Sequence, residues 1–222
     1  MTVAAIIFDF DGTIVDTETA DYQSWQELFA AHGLELSLDL WRERVGKVIH
    51  PEVTDVFHPY EYFEKMTGHP LSADELRAQE VRYLEMCQHL PILPGVIAML
   101  ESAKAANMPL AIASNSDYPW VERWAKHYKV WDYFQCIFTR EMAVQPKPAP
   151  ELYLKAANCL GVDPSLCVVF EDSPTGMQAA MSAGMRCFGI PTPITEKLPR
   201  PPVTRILNSL AELPFERLIA EY

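Results

Sequence analysis

The sequence predicts an α/β protein whose parallel sheet is interrupted by a helical insertion. From about residue 96 onward, short apolar runs of strand length alternate with helical patterns, which is typical of a parallel sheet covered on both faces. A further apolar run, 4–8, lies near the N-terminus, whereas 34–90 contains no convincing strand pattern. We therefore predict a core formed by residues 1–16 and 89–222, with a small helical cap domain at 17–88.

Hydrophobic periodicity and turn residues define the individual elements. Ser72 and Glu75 have the spacing of a helix capping box, and Gly33, Gly161 and Gly184 follow predicted helices as stop signals. We predict helices at 17–32, around 53–60, at 72–89, 96–106, 118–128, 150–160 and 175–183, and near the C-terminus. We predict strands at 4–8, 110–114, 136–139, 167–170 and 186–190, and near 204–207.

The chain has 222 residues, 49% of them hydrophobic, and a formal net charge of −12. Nucleic acids and anionic membranes both bind basic surfaces, so this charge argues against either as a partner. No apolar stretch approaches the length of a membrane span. We found no coiled-coil pattern and expect a monomer.

Five cysteines are scattered along the chain without a C-x-x-C pair: Cys87, Cys136, Cys159, Cys167 and Cys187. An odd number without metal-ligand spacing favours reduced thiols over a disulfide framework or a zinc site. The N-terminal apolar run lacks a basic flank and contains Asp9, so it does not resemble a signal peptide. We therefore expect a cytoplasmic protein.

Polar side chains follow several of the predicted strands, and in a parallel sheet such strand ends meet at one edge, where ligands bind. A lysine between two prolines precedes a helix and can reach the same edge. The candidate site residues are Asp9, Asp11, Ser114, Asn115, Lys147, Glu171 and Asp172.

Clustered carboxylates without histidine or cysteine favour a hard cation such as Mg²⁺. A cation would let an anionic phosphoryl group approach, and Asp9 would attack phosphorus as a nucleophile. Asp11 would protonate the leaving oxygen and later activate water. Lys147 and Ser114 would hold the phosphoryl oxygens as charge develops on them.

Four segments resemble the sequence motifs of the haloacid dehalogenase superfamily, in that family's order: 9–13 (DFDGT), 114–115 (SN), 147–150 (KPAP) and 171–173 (EDS). The pattern is most similar to the branch of sugar-phosphate phosphatases and β-phosphoglucomutase, with an α-helical cap. The resemblance implies a Rossmann-like core and an aspartyl-phosphate on Asp9. It also implies Mg²⁺ contacts from Asp9, the Asp11 backbone carbonyl and Asp172, with Glu171 near the metal or its waters. Asn115, which follows Ser114, is a further candidate phosphate-binding residue.

The expected activity is Mg²⁺-dependent hydrolysis of small phosphorylated metabolites, sugar phosphates above all. True dehalogenases lack the second aspartate, which is Asp11 here. Mutases of this branch carry a cap histidine where this chain has Asp21, so the resemblance favours hydrolysis. A phosphomutase and a non-catalytic binding protein on the same fold remain alternatives. Arg44, Lys47 and His50 are candidate cap contacts to an anionic substrate.

Overall fold

The computed structural model describes residues 2–45 and 56–222. Within these residues, six strands form one sheet in the order β3-β2-β1-β4-β5-β6, and every pairing is parallel. The strands are β1 (Ala5–Phe8), β2 (Leu110–Ala113), β3 (Cys136–Phe138), β4 (Cys167–Glu171), β5 (Arg186–Gly189) and β6 (Arg205–Ile206). The prediction of a Rossmann-like α/β fold is confirmed.

The helices of the described residues are α1 (Thr17–Ala31), α2 (Leu38–Arg42), α3 (Pro59–Thr67), α4 (Ala73–His89), α5 (Val96–Ala105), α6 (Tyr118–His127), α7 (Glu151–Leu160), α8 (Pro174–Ser182) and α9 (Phe215–Glu221). Most of the predicted helix ends lie within one or two residues of the observed ones. The capping box of α4 forms, because Ser72 and Glu75 exchange side-chain and backbone hydrogen bonds.

The helix predicted around 53–60 is wrong over its described part. His58 is extended, with φ −114° and ψ 114°, and α3 begins only at Pro59. Proline disfavours the helical conformation in the residue before it and is favoured at the first helical position. Residue 53 lies outside the described residues, and the short helix α2 was not predicted.

Alternate residues of the central strands pack on opposite faces of the sheet, as strand geometry requires. Ile6 and Phe8 join an apolar cluster with helices α5, α6 and α9, whereas Ala5 and Ile7 join a second cluster with α7 and α8. Strands buried on both faces explain why their sequence is continuously apolar.

The inserted helices have an apolar cluster of their own, built around Trp25, Phe29, Trp41 and Phe63. One residue of this cluster, Ile194, comes from the loop after β5. The buried Arg42 of α2 donates hydrogen bonds to the Ile194 and Pro193 carbonyls, each at 2.9 Å. Over its described residues the insertion is therefore helical, as predicted, while its boundaries at 17 and 88 stay a prediction.

The expectation that all five cysteines are reduced is wrong, since Cys136 and Cys159 form a disulfide. Cys136 begins β3 and Cys159 lies near the end of α7, and these two elements pack against each other. That packing joins residues 23 apart in sequence, a contact that residue spacing does not reveal. Cys87, Cys167 and Cys187 are free and buried.

Among the described residues, we found no helix with the length and apolar character needed to cross a membrane.

Candidate active site

The candidate site lies at the end of β1 and its neighbours β2 and β4, and the strand order reverses between β1 and β4. Asp9 directly follows β1, Ser114 directly follows β2, and Glu171 ends β4. Adjacent parallel strands end at the same edge, and open α/β sheets bind ligands at such a reversal. The fold thereby brings together residues that are more than 100 positions apart in sequence.

Lys147 is the cation at the centre of the site. Its Nζ lies 2.7 Å from Asp9 Oδ1 and 2.6 Å from Glu171 Oε1, and its side chain is only 3% exposed. Burial alone would lower the pKa of Lys147, but the charges and hydrogen bonds of the two carboxylates outweigh it and raise the pKa. Lys147 is therefore held as an ammonium group, whose third N–H remains to contact a ligand.

Two side chains fix the position of Lys147. The Asn115 amide bonds its backbone twice, accepting from Lys147 N at 2.9 Å and donating to Lys147 O at 3.1 Å. Glu171 accepts from Lys147, from the Tyr153 hydroxyl, and from both the backbone N–H and the hydroxyl of Ser173. These four bonds match the four acceptor positions of a carboxylate.

Asp11 lies beside this cluster and accepts three hydrogen bonds. Its Oδ1 receives the Thr17 hydroxyl at 2.6 Å and the Trp120 indole N–H at 2.8 Å. Its Oδ2 receives the Ser116 hydroxyl at 2.6 Å. Gly12, with φ +79°, makes the turn that follows Asp11, a backbone conformation that glycine adopts without steric cost.

The carboxylates of Asp9, Glu171 and Asp172 each place an oxygen within 4.8 Å of the others. Burial, followed by the charge of Glu171, raises the pKa of both Asp9 and Asp172 well above the ordinary range. Three carboxylates face one ammonium group, so the cluster lacks positive charge. Such a deficit is relieved by protonation or by a cation.

The residues present fit a hard divalent cation. Asp172 Oδ2 is buried and has no hydrogen-bond partner among the described residues, and an unpartnered carboxylate oxygen is costly to bury. A Cβ on Gly12 would collide with this carboxylate, so glycine keeps the space beside Asp172 open. Oxygen donors alone suit Mg²⁺.

A cavity of about 70 Å³ opens onto these groups. It is lined by all the predicted site residues except Glu171, together with Glu18, Val45, Ser116 and Ser173. Ser114 is buried, and its hydroxyl accepts from the Ser116 backbone N–H at 3.0 Å. The structure thus brings every predicted site residue into one cluster.

Sequence reasoning did not identify several residues that contact this cluster: Thr17, Glu18, Ser116, Trp120 and Tyr153. Ser116 lies two positions beyond a motif serine, which could have suggested it. Nothing in the local sequence marks Trp120 or Tyr153, because each reaches the site through tertiary packing. Their contacts with Asp11 and Glu171 span 109 and 18 positions, respectively.

On the inserted side, Arg44 Nη2 lies 3.9 Å from Asp21 Oδ2. Burial raises the pKa of Asp21 to about 6, although Arg44 acts in the opposite direction. The other two candidate cap contacts, Lys47 and His50, lie outside the described residues.

Comparison with known proteins identifies the family. The family described as haloacid dehalogenase-like hydrolase matches residues 6–190. The chain therefore belongs to the haloacid dehalogenase-like hydrolases, and the predicted resemblance is confirmed.

Individual relatives agree with this assignment. The putative phosphatase YhcW of Bacillus subtilis is 40% identical over 98% of this chain and 96% of its own length. The fructose-1-phosphate phosphatase YqaB of Escherichia coli is 29% identical over 82% and 93%, respectively. Crystalline CbbY from Rhodobacter sphaeroides, in complex with xylulose-(1,5)bisphosphate, is 28% identical, covers 95% of this chain and 96% of its own, and has a TM-score of 0.73.

Proposed function

We propose that this protein is a Mg²⁺-dependent phosphatase of small phosphorylated metabolites, sugar phosphates above all, acting through an aspartyl-phosphate. The observation that carries the proposal is the meeting of Asp9, Lys147 and Asp172 at one cavity, with the Asp11 carboxylate beside them. This arrangement supplies a nucleophile, a cation for the phosphoryl oxygens, a metal site and an acid–base group.

In the first step, a carboxylate oxygen of Asp9 attacks phosphorus and the bond from phosphorus to the leaving oxygen breaks. Asp11 gives its proton to that oxygen, so the product leaves as a neutral alcohol. The two aspartates are two positions apart and line the same cavity, which supports this division of roles.

In the second step, water attacks the phosphorus of the aspartyl-phosphate and gives a proton to the Asp11 carboxylate. The bond from phosphorus to the Asp9 oxygen breaks, which releases inorganic phosphate and restores the Asp9 carboxylate. Over both steps, one phosphate monoester and one water become one alcohol and one phosphate.

Three side chains are suited to hold the transferred group. Lys147, Ser114 and Asn115 line the cavity, and each retains a donor group: the third N–H of Lys147, the Ser114 hydroxyl and the second amide N–H of Asn115. Donors that are already fixed before reaction stabilise developing charge without reorganisation. The bonds of Asn115 to the Lys147 backbone give it a positioning role as well.

Asp9, Asp172 and the Asp11 backbone carbonyl would hold Mg²⁺, whose charge would offset that of the phosphoryl group. Since protein donors occupy both Glu171 oxygens, we assign Glu171 the role of holding Lys147 near the metal. The unpartnered Asp172 oxygen supports the metal site without Glu171 as a direct ligand.

The presence of Glu18 in the cavity favours a substrate whose leaving group carries hydroxyl groups. Burial and, to a lesser extent, the charges of Asp21 and Asp11 raise the pKa of Glu18 to about 8. A protonated carboxyl group both donates and accepts hydrogen bonds, which suits sugar hydroxyls. The named substrate of YqaB is a sugar phosphate, in agreement with this proposal.

The decisive experiment measures phosphate release from a panel of sugar and polyol phosphates, with Mg²⁺ and with EDTA. The variants are Asp9→Asn and, as a matched control, Asp74→Asn, whose side chain is exposed in the first turn of α4. We expect release by wild type and Asp74→Asn in Mg²⁺ only, and none by Asp9→Asn.

Four outcomes would contradict the proposal. Release that persists in EDTA would exclude the metal, and release by Asp9→Asn would exclude Asp9 as the nucleophile. Exchange between sugar-phosphate isomers, primed by a bisphosphate and without net release, would identify a mutase. The absence of both activities would leave a binding protein on this fold.

A further inference from the structure

Trp120 links the acid–base aspartate to the helical insertion. It lies in the first turn of α6, and its indole N–H donates to Asp11 Oδ1 at 2.8 Å. Its ring stacks on Tyr83 of α4, with centroids 5.3 Å apart and planes 19° apart. One side chain therefore contacts both the Asp11 carboxylate and a helix of the insertion.

We propose that Trp120 is a positioning residue, which orients the Asp11 carboxylate for proton transfer and is itself held by Tyr83. The proposal rests on the proposed function, since it assigns Trp120 a role in the same reaction. It extends that function by tying the acid–base step to the position of the insertion.

Of the three groups that donate to Asp11, the Trp120 indole N–H differs chemically from the two hydroxyl groups. Hydroxyl groups such as those of Thr17 and Ser116 can rotate and accept a hydrogen bond instead of donating one, whereas an indole N–H can only donate. Oδ1 must therefore keep a lone pair toward Trp120 whether Asp11 is charged or neutral. Oδ2 accepts from the rotatable Ser116 hydroxyl and not from the indole, so it is the oxygen to which we assign the acid proton.

The stacking of Trp120 on Tyr83 makes this orientation dependent on the insertion. Aromatic pairs at this separation attract each other beyond their burial, so displacement of α4 would remove support from one face of the indole. The opposite end of the side chain is also constrained, because Trp120 packs edge-to-face on Trp124 with centroids 5.6 Å apart.

The first test uses Trp120→Phe, which keeps an aromatic ring against Tyr83 but removes the donor. We would compare kcat/KM for a sugar phosphate with kcat/KM for p-nitrophenyl phosphate. An alkoxide must be protonated as it leaves, whereas nitrophenolate is stable without a proton. We expect a loss of about tenfold or more for the sugar phosphate and little change for p-nitrophenyl phosphate, since general acid catalysis acts on the first substrate only.

The two substrates must be compared by kcat/KM, because this constant reports only the steps up to formation of the phosphoenzyme. Hydrolysis of the phosphoenzyme is common to both substrates and would hide the difference in kcat. Trp124→Phe is the matched control, because it keeps an aromatic ring against Trp120 and removes an indole N–H that has no partner among the described residues. It should leave the substrate ratio unchanged.

The role of the insertion is tested at Tyr83. Tyr83→Leu removes the stacked ring and should reproduce the selective loss of kcat/KM for the sugar phosphate. Tyr83→Phe keeps the ring and should keep the wild-type ratio of kcat/KM between the two substrates. An equal loss on both substrates in Trp120→Phe, or a wild-type ratio in Tyr83→Leu, would overturn the corresponding half of the proposal.

A second readout does not depend on activity. In ¹H–¹⁵N spectra, the Trp120 indole resonance, identified by its loss in Trp120→Phe, should shift upfield in Asp11→Ala while the Trp124 indole resonance stays in place. An unshifted Trp120 resonance would overturn the proposal even if the enzyme is a phosphatase. A wild type without activity on either substrate would instead overturn the proposed function, with the spectrum still reporting on the Trp120–Asp11 bond.

Discussion

Lys147 owes its position to a network of buried polar groups in which each member supports another. Glu171 holds the lysine from one side, and Tyr153 contributes twice, through its hydroxyl on Glu171 and its ring 4.8 Å from Lys147 Nζ. In a buried network of this kind, the loss of one partner leaves another group unsatisfied. The tyrosine is therefore the member whose removal tests the network with the least change in shape.

For Tyr153→Phe, we expect a loss of about 2 kcal/mol in the free energy of unfolding, because one hydrogen bond to a buried carboxylate disappears. We also expect kcat to fall by about tenfold, as is typical when a residue that orients a site is altered. Denaturant titration and steady-state kinetics would measure the two effects.

Tyr22→Phe is the matched control, because the buried Tyr22 hydroxyl donates to Leu36 O at 2.9 Å, within the insertion. It should lose stability without loss of kcat. Equal losses of kcat in the two variants would show that the effect of Tyr153 is general destabilisation.

Glu18 gives a prediction about pH. Its folded pKa of about 8 exceeds the ordinary value of 4.5, so between these pH values the folded chain keeps a proton that the unfolded chain releases. Stability then falls as pH rises through this window. In EDTA, Glu18→Gln should therefore gain stability relative to wild type from about pH 4.5 to pH 8, with a constant difference above and below.

Urea titrations at a series of pH values would measure this difference. A difference that stays constant from pH 4.5 to pH 8 would contradict the raised pKa of Glu18.

Elements with strong local patterns were predicted well from sequence. The apolar strands β1 and β4 and the capped helix α4 were found within a residue or two, because burial on both faces and a capping box are local signals. The prediction failed in the segment before Pro59, because its apolar residues Val56 and Phe57 lie outside any helix. Val56 is buried, and Phe57 packs against the apolar cluster of the insertion.

Gly12, in the turn after β1, allows a test of the space between that turn and the Asp172 carboxylate. Gly12 and Gly33 both have positive φ, +79° and +70°, but only at Gly12 would a Cβ meet the Asp172 carboxylate; nothing lies within 4 Å at Gly33. Alanine at either position should cost about 1 kcal/mol through backbone strain. Because the proposed metal site includes Asp172, only Gly12→Ala should also reduce the stabilisation that we expect on addition of Mg²⁺.

The comparison requires thermal unfolding of both variants with and without Mg²⁺. An equal stabilisation by Mg²⁺ in the two variants would mean that the space beside Asp172 does not matter for the metal.

At the scale of the whole molecule, the motif residues of the site were predictable because strand ends of a parallel sheet meet at one edge. Contacts that depend on how helices pack against the sheet were not. The Cys136–Cys159 disulfide and the bond from Trp120 to Asp11 both join residues that share no local pattern. Sequence periodicity defines which face of an element is buried, but it does not define which residue it meets there.

Arg42 provides a test of the contact between the insertion and the loop after β5. Arg42→Met keeps the apolar stem but removes the two hydrogen bonds to the 193 and 194 carbonyls, each worth about 1.5–3 kcal/mol as a bond to a charged group. We expect faster hydrogen exchange in 191–196, measured by mass spectrometry.

Arg82→Met is the control, because Arg82 pairs with Glu27 where both side chains are about half exposed, and exposed pairs contribute little. It should leave exchange in 191–196 unchanged. Unchanged exchange in Arg42→Met would show that the loop is held by its own contacts.

The contact between Arg42 and residues 193–194 shows that chain order and tertiary contacts divide the molecule differently. Along the chain, the loop belongs to the sheet-bearing core, since it follows β5 directly. Its internal bonds between Thr192 and Thr195 make it a compact unit, and its Ile194 side chain lies in the apolar cluster of the insertion. If the insertion rotated relative to the sheet, this loop would therefore move with it. Residues 193–194 would then belong to the moving unit, although their position in the chain places them in the core.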